Sequence, residues 1–160
     1  MRIRTQRIDR RRAASMVEFA AVAPLFFLLL FGFFEYARFL FTVQLVNNAA
    51  REGARYAVVN TTTVATPSAA TLAVQTYVDN YLAGQGGSQY VGYTPAANIS
   101  VYTADPITGQ NTSIPWQNAG WGSGIGVSVS GNYQPIVPGL LFMMGSITLT
   151  GTCVMTVEAN

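Results

Sequence analysis

The feature that most constrains this chain is a run of sixteen residues, 19–34, that carries no charged side chain. Counted from Val17, the eighteen residues to position 34 would rise roughly 27 Å as an α-helix, close to the ~30 Å hydrocarbon thickness of a bilayer. Glu18 is the one acid inside this span, and its carboxylate is costly at membrane depth unless a partner or the interface relieves it. The run therefore predicts a membrane helix, and the presence of a costly carboxylate at Glu18 within it needs a specific explanation.

Positive charge is concentrated before this run. Six of the nine arginines lie in the first twelve positions, against one acid, Asp9, and no basic residue follows Arg55. By the positive-inside rule, this asymmetry predicts a cytoplasmic N-terminus and an exported C-terminal part. Because three acids and no base lie beyond Arg55, that part would repel phosphate, and nucleic-acid binding is disfavoured.

The chain divides into four predicted parts. Residues 1–13 form a basic cytoplasmic leader, expected to be disordered or to lie along the membrane surface, and residues 14–42 form the transmembrane helix. Residues 43–59 extend that helix, and residues 60–160, about a hundred, suffice for one small exported α+β domain. The leader could be cut before the apolar run, or a signal peptide could be cut after it. The second reading fits poorly, since Glu35 and Tyr36 follow the run instead of small residues.

The outer end of the membrane helix carries a possible ion pair. Glu35 and Arg38 are three residues apart, so a helix places them on one face, next to the aromatic rings expected at interface depth. The pair either marks the end of the membrane helix or joins two subunits, and both readings stay open at this point.

The helix extension has an unusual apolar stripe, because its side chains are small. Charged residues fall largely on the opposite side of the helix. Small side chains let another backbone approach closely, so either the sheet of the same chain or another helix should cover this face, and cover by the same chain is favoured. The stripe consists of Leu45 or Val46, Ala49 or Ala50, Gly53, Ala54 and Ala57.

A second helix and a small sheet are predicted downstream. Thr66 or Ser68 should cap a helix over residues 69–83, which Gly84 should end in a left-handed turn. The predicted apolar stripe of this helix is Ala70, Val74, Tyr77, Val78 and Tyr81. Apolar residues then alternate with small or polar ones around 99–101, 125–133 and 147–157. This period predicts an antiparallel sheet of about three to four strands with one buried and one wet face.

The connection between the last two predicted strands is too apolar for an ordinary exposed loop. Its centre could fold back onto the sheet edge, touch the membrane surface or contact a neighbouring subunit. The possible contact patch consists of Leu140, Leu141, Phe142, Met143 and Met144.

The sequence lacks residue types that several kinds of catalysis and ligand binding require. The chain has no histidine and no lysine, which removes imidazole catalysis, histidine-containing metal sites, phosphate-binding loops with a lysine and Schiff bases. Cys153 is alone, so it forms no intrachain disulfide, and an apolar strand would leave its thiol inert. We therefore expect a protein that is not an enzyme and that has no cofactor, metal site or catalytic residue.

Residues 11–19, RRAASMVEF, with the apolar run after them, resemble the processing region of pilin-like proteins of the tight-adherence (Tad) type IV pilus. Residues 49–57, AAREGARYA, and the end of the last strand, 155–158, are similar to the TadE-like minor pilins in particular. The resemblance implies that a prepilin peptidase cuts between Ala13 and Ala14, which makes Glu18 the fifth residue of the mature chain. Ala13 stands where such leaders usually have glycine.

The resemblance also implies how the helix acts. Glu18 would neutralise the N-terminal ammonium group of a neighbouring subunit, within an assembly helix that includes Phe19 and Pro24. The expected partners are membrane lipid, other pilin or assembly subunits and the prepilin peptidase. The protein would be a single-pass membrane protein with a periplasmic or extracellular domain, acting as a minor pilin or pseudopilin. The alternative is a permanently anchored binding protein whose leader is never cut.

Overall fold

The computed structural model describes residues 5–60, 66–87, 91–136, 138 and 145–157, with side chains from Ala13 onward. Its first element, α1 (Thr5–Val59), is one helix of 55 residues that runs through Pro24, about 80 Å in length. Residues 5–13 are thus helical and continuous with the apolar run, rather than disordered. The stretch Ala13–Val59 contains a segment long and apolar enough to span a membrane.

The two halves of α1 have different surroundings. Residues 13–34 are mostly exposed, whereas the later part has one face buried from Glu35 onward. The buried face includes the predicted small-residue stripe, with Ala49, Ala50, Ala54 and Ala57 fully covered by the same chain. Cover by the chain's own domain, the favoured reading of the stripe, is therefore confirmed.

Gly53 shows why this stripe must be small. A Cβ atom built there would lie 2.6 Å from Val78 Cγ2 and 3.1 Å from Val127 Cγ1. The second helix, which carries Val78, and the sheet, which carries Val127, thus approach the backbone of α1 so closely that even a methyl group would overlap them. The packing of α1 against both the second helix and the sheet depends on this position.

Helix α2 (Pro67–Gly84) lies where the second helix was predicted. Its buried residues are Ala70, Val74, Val78 and Leu82. The predicted stripe was partly wrong, because it included Tyr77, which is 37% exposed and stacks on Tyr56 of α1 with ring centroids 4.4 Å apart, and it omitted Leu82. The predicted turn was also wrong: Gly84 stays in the helix, and the left-handed residue is Gly86, at φ 74°.

Among the described residues, four antiparallel strands form one sheet, which agrees with the predicted three to four. They are β1 (Val91–Gly92), β2 (Ile99–Ala104), β3 (Gly124–Tyr133) and β4 (Ile147–Thr156), with a short helix α3 (Pro95–Asn98) between the first two. Strand β3 is central, since β1 and β2 pair along one of its edges and β4 pairs along the other. The α+β class, with a long N-terminal helix, a second helix and a small antiparallel sheet, is confirmed.

The sheet buries one face against α1, as its alternation predicted. Ile125, Val127, Val129 and Tyr133 of β3 are all buried. Gly151 of β4 lets the sheet approach the backbone of α1 closely, because a Cβ atom there would lie 2.8 Å from the carbonyl oxygen of Val46.

The connection from β2 to β3 contains regular structure of its own. It contains one turn of 3₁₀ helix (Trp116–Asn118), and the Trp116 side chain is buried. The indole Nε1 of Trp116 donates a hydrogen bond of 3.0 Å to the Thr71 hydroxyl of α2. This contact fastens the connection to the second helix.

Candidate functional site

The predicted processing and assembly residues lie on the uncovered half of α1. The side chains of Ala13, Ala14, Glu18, Phe19 and Pro24 are all exposed. Both residues beside the expected cut are thus on the surface of the helix, and Glu18 lies one turn further along the chain.

Large apolar side chains cover this half of the helix. Phe19 and Phe33 are 72% and 73% exposed, respectively. Phe27 contacts both Phe26 and Phe31, with ring centroids 5.7 and 6.3 Å apart. An exposed apolar surface of this length needs a cover of lipid or other helices.

Glu35, the first charged residue after this surface, is buried. Its side chain is 4% exposed, and its Oε1 lies 2.6 Å from Nη2 of Arg38, so the ion pair forms within one chain. The Tyr133 hydroxyl donates to the same oxygen, and the backbone N–H of Ile136 donates to Oε2 over 3.3 Å. The carboxylate thus receives three donors, one from the last residue of strand β3 and one from just beyond that strand.

Arg38 connects the same two elements a second time. Its Nη2 also donates to the carbonyl oxygen of Gln134 over 2.7 Å, and its guanidinium lies 4.7 Å from the centre of the Tyr133 ring. The ring of Phe39 contacts Tyr133 edge to face, with centroids 5.5 Å apart. We call Glu35, Arg38, Tyr133, Gln134 and Ile136 the junction cluster.

Tyr133 is held in its neutral, donating form. Burial raises the pKa of its hydroxyl to about 12, helped by the hydrogen bond to Glu35 and opposed in part by the charge of Arg38. The phenol therefore keeps its proton at physiological pH and supplies the donor that Glu35 needs. The sequence predicted Glu35 and Arg38 as a pair and Tyr133 as a sheet residue, but it gave no sign that Tyr133, 98 residues away, would contact Glu35.

The possible contact patch, Leu140 to Met144, lies outside the described residues. Only the two ends of the connection between β3 and β4 are described, residues 134–136 with 138 and residues 145–146. Both adjoin the pair Tyr133 and Ile147, at the end of the sheet where Tyr133 contacts Glu35. Among the described residues, no group of three or more histidine, cysteine, aspartate or glutamate side chains is placed to hold a metal ion.

The exposed half of α1 and the junction cluster's two helix residues fall inside one segment that is similar to known proteins. The family model described as TadE-like protein matches residues 13–55. No curated protein and no solved structure matches the chain. The matched segment begins at the expected processing site and ends within the small-residue stripe, and it does not reach the last strand. From Ala13 to Arg55, this chain carries the sequence pattern of TadE-like proteins, which confirms the expected resemblance over that segment and is consistent with the Tad pilus system.

Proposed function

We propose that this protein is a minor pilin or pseudopilin that enters a Tad-type pilus through the exposed half of α1. The observation that carries the proposal is the division of α1 into two halves. The half beyond Glu35 is covered by the chain's own domain, whereas residues 13–34 carry large apolar side chains without such cover. The family match spans both halves, so the division lies within the segment similar to TadE-like proteins.

The exposed half suits two successive environments. Before assembly, its phenylalanine and leucine side chains would contact lipid. In an assembly, the same side chains would pack against helices of other subunits, where close van der Waals contact replaces lipid contact. Because each helix offers its surface to unlike surfaces of its neighbours, such contacts repeat without closing and give a filament.

Glu18 has a role only in the second environment. Cutting between Ala13 and Ala14 creates an ammonium group at Ala14, and the resemblance pairs it with Glu18 of the next subunit. Two opposite charges offset each other's desolvation, which a single carboxylate in lipid cannot do. Removal of six arginines and Asp9 would also change the formal net charge from +2 to −3.

The proposal includes neither an active site nor a cofactor. Its partners are lipid, other pilus subunits and the prepilin peptidase. The N-terminus would face the cytoplasm and the sheet domain the periplasm or the exterior, as the arginine asymmetry predicts. The family match and the candidate membrane span support this arrangement.

N-terminal sequencing of the membrane-bound protein, in cells that assemble the pilus, tests the proposal. We expect a chain that begins at Ala14. The Ala13→Gly variant, which has the residue usual in such leaders, should be cut at least as completely, whereas Ala13→Arg should stay uncut and be absent from purified pili. A natural protein that retains its arginine leader in these cells would contradict the proposal and favour the anchored binding protein.

A further inference from the structure

We propose that the junction cluster forms a second, non-helical contact with the membrane, in which the Ile136 side chain lies among the lipid headgroups at the outer surface. The partner is the lipid interface itself. This inference rests on the proposed membrane position of α1. It uses none of the residues between 139 and 144.

Hydrogen bonds fix the height of Ile136 relative to α1. The Ile136 N–H donates to the Glu35 carboxylate over 3.3 Å, and the carbonyl of Gln134, two residues earlier, accepts from Arg38 over 2.7 Å. With Tyr133 bonded to Glu35 as well, the end of strand β3 cannot slide along the helix without losing these bonds. Ile136 therefore lies level with Glu35.

The length of the apolar helix places that level at the membrane boundary. From Ala14, the first residue after the expected cut, to the end of the uncharged run at position 34 there are 21 residues, which rise roughly 31 Å and match the hydrocarbon thickness of ~30 Å. The next residue is Glu35, whose ion pair with Arg38 belongs at the interface rather than in hydrocarbon. Whatever lies level with Glu35 thus meets the headgroups.

The side chains at this level suit the interface. Ile136 is 72% exposed, and the exposed aromatic residues Phe34 and Tyr36 of α1 flank Glu35, whose carboxylate accepts from the Ile136 N–H. Aromatic and apolar side chains favour this depth, because one part contacts acyl chains while another stays hydrated. Since Glu35 and Arg38 neutralise each other, the cluster carries no net charge that would repel anionic lipid.

The contact has a mechanical consequence. The single helix would leave the exported domain free to tilt about the membrane surface, whereas a second contact beside it restricts that tilt. Before assembly, the end of the sheet near Tyr133 would then face the membrane and α1 would stand along the membrane normal. Side-by-side packing of helices needs this orientation.

Depth-dependent quenching tests the inference on the full chain in phosphatidylcholine vesicles at low protein density. With Cys153→Ala as background, a small environment-sensitive fluorophore is attached to Ile136→Cys, and to Ile107→Cys as the matched control. Ile107 is 93% exposed and lies in the turn at the opposite end of the sheet. A third site, Phe26→Cys, reports whether α1 itself spans the bilayer.

We expect the label at position 136 to shift to the blue and to lose most of its emission to lipids with a nitroxide near the headgroup, while the label at 107 stays unquenched. Equal behaviour of the two labels would overturn the inference. So would a blue shift at 136 that no nitroxide lipid quenches and that grows with protein density, because it would identify a second copy as the partner. Loss of deep quenching at position 26 would instead contradict the membrane position of α1, and with it the proposed function.

Discussion

Replacement of Gly53 by alanine tests the packing of α1 most sharply. Alanine has the higher helix propensity, so in an open helix this change would stabilise by about 1 kcal/mol. At Gly53, however, the new Cβ would lie 2.6 Å from Val78 Cγ2, whereas carbon atoms in contact need about 3.5 Å or more. Relief requires a shift of about 1 Å between α1 and α2.

That shift is not easily made. Val78 is β-branched and fully buried in α2, and Val127 on the other side belongs to the central strand. A stiff side chain on each side leaves no rotamer change that would open the space. Overpacking of this kind costs about 1–3 kcal/mol. Set against the gain in helix propensity, we expect Gly53→Ala to lower the free energy of unfolding by up to about 2 kcal/mol.

Gly84→Ala is the matched control. It also replaces a helical glycine, at the end of α2, but a Cβ there meets no atom within 4 Å. We expect the free energy of unfolding of this variant to be unchanged or to rise by up to about 1 kcal/mol. The assay is urea unfolding of the full chain in detergent micelles, followed by the fluorescence of the buried Trp116. A Gly53→Ala protein as stable as Gly84→Ala would refute the close approach of the three layers.

Three further predictions concern the junction cluster, the sheet and the topology. Tyr133→Phe removes the donor to the Glu35 carboxylate and should cost about 1–3 kcal/mol in the same unfolding assay. Because the Tyr133 pKa is raised from 10.0 to about 12, its contribution is complete below pH 10 and is lost as the pH rises towards 12, so unfolding measured across that window should depend less on pH in Tyr133→Phe. Leu149→Asp should abolish accumulation of the protein by burying an unpaired charge, whereas Thr150→Asp, on the exposed face, should be tolerated. Equal levels of the two variants on immunoblots would contradict a sheet with one buried and one exposed face. A reporter active only outside the cytoplasm, fused after Asn160, should be active, and activity of a cytoplasmic reporter there instead would reverse the topology.

Local periodicity explains what the sequence could predict. The length of the uncharged run predicted the membrane helix, the stripe from Leu45 to Ala57 repeats at helical spacing, and alternation marked three of the four described strands. These signals arise between residues a few positions apart, where backbone geometry fixes which side chains share a face. Strand β1 has two residues, too few for any period to be visible.

Contacts between distant segments explain what the sequence could not predict. Nothing near Tyr133 indicates that its hydroxyl reaches Glu35, and nothing near Trp116 indicates a partner on α2. Each contact depends on how the sheet lies on the helices, and that is decided by the close approaches at Gly53 and Gly151. The end of α2 was mispredicted at Gly84 for a simpler reason, because glycines at positions 84, 86 and 87 offered three places for a left-handed residue.

Incorporation of Glu18→Leu into pili tests the central claim most directly. The variant is expressed beside the unmodified protein, and membrane level, N-terminus and recovery in purified pili are compared. Leucine relieves the cost of a carboxylate in lipid, so membrane insertion should be unchanged or better, and cutting after Ala13 should still occur. In an assembly, the new ammonium group of a neighbour would lose its counter-charge among packed helices. The account predicts a processed, membrane-bound Glu18→Leu protein that is absent from pili, and its normal recovery in pili would contradict the role of Glu18 in assembly.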